Sequence, residues 1–123
     1  MDSAFMKARA ITLRCKKNYE LTALYDKILQ EFENQNLNVE FVEKTYHELG
    51  EVKTLLLVFE RLYLRTASYT SLTILLTEFK GIQTADIISS GGKEIMFSFG
   101  SERNFAKHGE TALKNLGFED FHP

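Results

Sequence analysis

The chain of 123 residues has no tryptophan, a single cysteine (Cys15) and a single proline, Pro123. One cysteine closes no internal disulfide, so the fold does not depend on an oxidising compartment, and it supplies no cysteine-based zinc site. The three histidines, His47, His108 and His122, show no H-E-x-x-H or related spacing. No metal and no cofactor is therefore expected. The longest apolar run, "LLLVF", is far too short to cross a bilayer. The segment "MDSAFMKARAITL" has no apolar stretch or small-residue cleavage site of the kind a signal peptide carries, so a cytoplasmic protein is expected. A net charge of −2 gives no general drive towards nucleic acid or anionic membrane, and neither is expected as a partner. No repeat or low-complexity tract divides the chain.

What is present is an ordinary globular composition, 44% apolar and 26% charged, rich in phenylalanine (ten) and tyrosine (five). One core suits this length, so residues 1–6 are read as a loose end and 7–121 as a single domain. Alternation over Ala8 to Cys15 predicts a half-buried strand with Ile11, Leu13 and Cys15 inward, which makes Cys15 a small buried thiol. From Tyr19 to Gln35 the period becomes helical: Leu21, Leu24, Tyr25, Ile28, Leu29 and Phe32 share one face, with Asn18 as N-cap and "NQN" as the stop.

Val39 to Glu48 returns to extended character, with Val39, Phe41 and Thr45 opposing Val42 and Tyr46. Two long strands follow around "TASYT", Val52 to Arg65 and Ser71 to Phe79, bounded by turns at "ELGE" and "FKGI". Shorter strands are expected over 84–89 and 95–99. A last helix from Glu102 to Leu116 is capped by Ser101 and ends at Gly117. The order β-α-β-β-β-β-β-α predicts a two-layer α+β fold: a mainly antiparallel sheet of about six strands with two helices on one face. A shortened helix-grip arrangement has the same order.

The strand Val52 to Arg65 carries apolar residues on both faces. Leu55, Leu57, Phe59 and Tyr63 lie on one and Leu56, Val58, Leu62 and Leu64 on the other. Two helices cover one face only, and each large aliphatic side chain left in water forfeits roughly 1.5–3 kcal/mol. A second subunit is the simplest cover, which predicts a homodimer through an apolar sheet face; strong sheet curvature is the alternative.

Two features invite a site. In "FERLYLR", alternation sets Arg61, Tyr63 and Arg65 on the face of Leu57 and Phe59, with Glu60 opposite; two guanidiniums beside a phenol suit a carboxylate or phosphate. In "FGSERNF", Gly100 and Ser101 stand at a helix start with Arg103 nearby. The plainer readings are a solvated strand end and an N-cap. The pair "GG" in "ISSGG" reads as a hairpin: a three-residue "SGG" loop sets Ile87 opposite Ile95, whereas a two-residue turn would set Asp86 opposite Phe97. Arg61, Tyr63, Arg65, Ser101 and Arg103 are thus the candidate ligand contacts, and no catalytic residue is assigned.

The stretches "FERLYLRTASYTSLTILLT", "ISSGG" and "FGSERNF" resemble a family of small bacterial proteins known only as a domain of unknown function. The resemblance spans about Lys7 to Gly117. It departs at Leu62 and Leu64, where more polar or aromatic residues are expected, and it implies no chemistry. The expectation is a non-enzymatic module that binds a small ligand or a protein partner as a homodimer. The alternative is an enzyme of unknown class whose pocket joins the Arg61–Tyr63–Arg65 strand to Arg103 and His108 on the last helix. Nucleic-acid binding through the sheet is the weakest reading, because its aromatic residues interleave with aliphatics and not with a basic stripe.

Overall fold

The structure is a computed structural model that describes residues 10–17, 19–63, 68–91 and 101–121, and at positions 63, 68 and 101–103 the backbone only. The elements are β1 (Ile11–Cys15), a 3₁₀ turn (Leu21–Ala23), α1 (Leu24–Asn34), β2 (Glu40–Leu49), β3 (Val52–Tyr63), β4 (Ser68–Phe79), β5 (Ile82–Gly91), α2 (Ser101–Asn115) and β6 (Glu119–Asp120). The six strands form one antiparallel sheet in the order β2-β3-β4-β5-β1-β6. This is the expected α+β fold of a six-stranded sheet and two helices. The segment expected as a strand over 95–99 lies outside the described residues.

Local chemistry sets the meander. Leu49 pairs with Val52 across a turn in which Gly50 takes φ 60°. Phe79 pairs with Ile82 across Lys80 and Gly81, both at positive φ, the backbone of a type I′ hairpin that matches strand twist. Both helices end alike. After α1, Asn36 sits at φ 56° while the Leu37 amide donates to the Phe32 carbonyl; after α2, Gly117 sits at φ 106° while the Phe118 amide donates to the Leu113 carbonyl. Each is a Schellman stop whose following apolar residue, Leu37 or Phe118, is buried.

One face of the sheet holds the core. Leu55, Leu57 and Phe59 of β3, Leu72, Ile74 and Leu76 of β4, and Ala85 and Ile87 of β5 alternate inward and are fully buried. Leu24, Ile28 and Phe32 of α1, with Phe105, Ala112 and Leu113 of α2, close over them. The Phe32 ring meets Phe59 edge-on at 5.3 Å and lies 6.4 Å from Phe105. Gly109 lets α2 approach the sheet, since a Cβ there would sit 3.3 Å from Leu72 Cδ2. Cys15 is buried, as its alternation predicts.

Three expectations need correction. Between Phe41 and Glu43 the β2–β3 register shifts at a bulge. Phe41 and Tyr46 therefore both pair with helix-side residues, Phe59 and Leu55, while Thr45 pairs with Leu56 on the other side. Strict alternation placed Phe41 with Thr45, and an inserted residue reverses that parity. The first helical segment starts at Leu21, not Tyr19, with Glu20 before it making no side-chain cap; Asn18 lies outside the described residues. The last helix, α2, starts at Ser101, one residue before the expected Glu102.

Candidate functional site

Neither helix covers the opposite face of the sheet. Register places its residues in rows that cross β2 to β5. The end row is apolar throughout: Leu49, Val52, Phe79 and Ile82. His47, Thr54, Thr77 and Thr84 come next, then Thr45, Leu56, Leu75 and Asp86. Beyond them lie Glu43, Val58, Thr73 and Ile88, followed by the polar row Glu40, Glu60, Ser71 and Ser90. Leu62 and Tyr69 form the last paired row.

Six of the nine large apolar side chains that stay exposed among the described residues lie on this face: Leu49, Leu62, Tyr69, Phe79, Ile82 and Ile88, between 41% and 73% exposed. Sheet curvature therefore does not hide them. Polar groups here are partly tied down within the chain. Thr12 Oγ1 donates to Asp86 Oδ1 at 2.8 Å, and the Ser71 and Ser90 hydroxyls are 3.2 Å apart.

A second feature lies on the helix side. Arg61 pairs in register with Thr70, which is fully buried, and Ser89 occupies the neighbouring row opposite Leu72. Over this end of the sheet, α2 brings His108 to Gln35, the residue that closes α1. His108 Nδ1 is 2.6 Å from Gln35 Oε1, while Gln35 Nε2 donates to the His108 carbonyl at 3.2 Å. An amide oxygen only accepts, so Nδ1 carries the proton and Nε2 is left as the acceptor nitrogen. Partial burial holds the His108 pKa below its ordinary value, and the nearby Arg61 guanidinium lowers it further.

The structure thus brings one expected ligand contact, Arg61, within electrostatic reach of His108 on the last helix. Tyr63 follows two positions along β3, and Ser101 and Arg103 occupy the first turn of α2. Arg65 and Gly100 lie outside the described residues. Gln35 and Thr70 gave no signal in the sequence: Gln35 reads there as part of a helix stop, and 73 positions separate it from His108. Gly91 ends β5 opposite Thr70, where φ is 123° and a Cβ would lie 2.5 Å from the Tyr69 carbonyl oxygen. The expected "SGG" loop continues beyond the described residues.

Elsewhere, Arg14, Lys16, Glu119, Asp120 and Phe121 line a half-open depression of about 370 Å³ at the β1–β6 edge. Its groups are largely matched: Arg14 stacks over the Phe121 ring at 5.6 Å, and Lys114 holds Asp120 at 3.2 Å. Among the described residues, no group of three or more His, Cys, Asp or Glu is placed to hold a metal ion, and no helix is long and apolar enough to cross a membrane.

Residues 11–117 match the profile of a family described as a family of unknown function (DUF6054). The chain belongs to this family. The match takes in β1 through the end of α2, so both the open sheet face and the Arg61–His108 end lie within the family's domain. No curated protein matches the chain significantly. No solved structure does so either.

Proposed function

We propose that this chain is a non-enzymatic interaction module that works as a homodimer, with the open face of its sheet as the binding surface. The observation that carries this reading is the set of exposed large apolar side chains opposite the core. At strand spacings of about 4.8 Å and a rise of about 3.4 Å per residue, the face of β2 to β5 covers on the order of 600 Å² in plan, and β1 widens it. Stable protein interfaces bury roughly 800 Å² per partner, so this face is of the right size. Its aliphatic and threonine-rich surface suits a protein partner and offers no basic stripe to nucleic acid. A single buried cysteine is at home in the cytoplasm, where we place the protein. Light scattering coupled to size exclusion tests the reading: a mass of two chains at micromolar concentration is expected, and a monomer throughout overturns it.

The Arg61–His108 end favours a second reading, a pocket for a small anion between β3 and α2, because a guanidinium and an imidazole there share one electrostatic environment. Titration with inorganic phosphate and with citrate, followed by the His108 ring proton resonances, tests it. Movement of those resonances at millimolar ligand supports the pocket, and no movement removes it.

A further inference from the structure

We infer that the occupant of the open face is a second copy of this chain, related by a dyad that lies in the plane of the interface and runs perpendicular to the strands. This rests on the homodimer reading above and adds its geometry. Two packed sheets in an aligned sandwich keep their strands within about 30° of each other. A symmetric pair can then have its dyad along the strands or across them. The row pattern and the placement of charge separate the two.

Read along the strands, the rows run apolar, threonine-rich, mixed, mixed, polar, apolar. That order is a palindrome about the line between the Leu56–Leu75 row and the Val58–Thr73 row. A dyad across the strands on this line sets Leu56 over Val58 of the second copy, the threonine row over the serine and glutamate row, and Val52 and Phe79 over the row of Leu62 and Tyr69. A dyad along the strands also matches apolar to apolar, because each row then meets itself.

Charge decides between them. Glu40, Glu43 and Glu60 all lie in two adjacent rows on one side of that line, Glu43 beside it and Glu40 and Glu60 in the row beyond. A dyad along the strands keeps all six of these carboxylates in the same two rows of the interface, which like-charge repulsion opposes. A dyad across the strands separates the two sets, turning Glu43 onto Thr45 and the Glu40–Glu60 row onto the His47 and Thr54 row. There an imidazole meets Glu40 and a hydroxyl donor meets Glu60. Asp86 is the least well matched group, set over Ile88, and its bond from Thr12 remains within the chain. At a 30° crossing, positions within half a row of the dyad shift sideways by less than about 2 Å, so the Leu56–Val58 contact is the best defined.

Disulfide trapping between mixed chains, each carrying Cys15→Ser so that the introduced cysteine is its only one, tests the dyad, with the wild-type mass from light scattering measured first. Leu56→Cys chains mixed with Val58→Cys chains should oxidise to a covalent dimer at least tenfold faster than Leu56→Cys chains mixed with Leu75→Cys chains. A dimeric wild type that traps the Leu56–Leu75 pair instead, or neither pair, overturns the dyad and leaves the interface standing. A wild type that is monomeric at all concentrations overturns both. Thermal unfolding of each variant alone establishes that the chains compared are folded.

Discussion

The two faces of the central sheet are built from the same two long strands, yet they differ in what meets them. On β3, Leu55, Leu57 and Phe59 are fully buried beneath the helices, while Leu56 and Val58, one position away, keep part of their surface in solvent. Both sets are aliphatic or aromatic, so hydrophobicity alone does not mark the core. The difference is the company. The helix side meets apolar stripes from α1 and α2, and among the described residues neither helix meets the open side. The open side also carries Glu40, Glu43, Glu60 and Asp86, interspersed with its apolar side chains.

The largest contrast is expected from truncating neighbours. Leu57→Ala should cost about 2–5 kcal/mol in urea unfolding, the cost of a cavity in a packed core. Leu56→Ala should cost about 1 kcal/mol or less at concentrations low enough to keep the chain monomeric. Equal losses would erase the distinction between the faces.

Leu75→Lys, which puts a charge at the centre of the open face, should weaken self-association by roughly 100-fold, about 2.7 kcal/mol. Its effect on unfolding of the single chain should be small. A two-chain mass that survives this change would move the interface elsewhere.

Gly91→Ala addresses the edge between the faces. The added methyl meets the Tyr69 carbonyl at a backbone angle that side chains avoid, so a loss of about 1–3 kcal/mol is expected in thermal or urea unfolding. Wild-type stability in this variant would mean that the strand end relaxes freely.

The smallest effect concerns pH. The His108 pKa is depressed in the folded chain, so its neutral form is the one favoured by folding. Its contribution is fully present above the unfolded pKa of about 6.5 and is lost as pH falls through the folded value. The urea midpoint should decline from pH 7.5 to pH 5, and His108→Gln should flatten that decline. An unchanged slope in the variant would assign the acid sensitivity to other groups.

Much of the fold was legible because it rests on short-range patterns. Period-2 alternation placed Leu55, Leu57 and Phe59 against Leu56 and Val58, and helical spacing chose Leu24, Ile28 and Phe32 for the buried face. "FKGI" and "ELGE" announced their turns through glycine. Alternation failed in β2, because a bulge carries no obligatory residue type and reverses every face beyond it. It also could not say where the helix begins after Asn18, since the start is a 3₁₀ turn without a side-chain cap. The candidate contacts fared unevenly for a similar reason. Arg61 could be assigned a face from its strand, but its neighbourhood with His108 and Gln35 depends on how α1 and α2 dock. No spacing encodes that.

The sequence by itself determined the kind of object this is: an α+β fold, with an amphipathic helix and strands too apolar to be satisfied on one side. Those conclusions follow from periodicity, which is readable residue by residue. Only the tertiary structure decided the order of strands, with β1 lying between β5 and β6, and the grouping of the open face into rows. Rows arise from register between strands far apart in the chain. That register is set by which turns close and which side chains pack, a property of the assembled sheet.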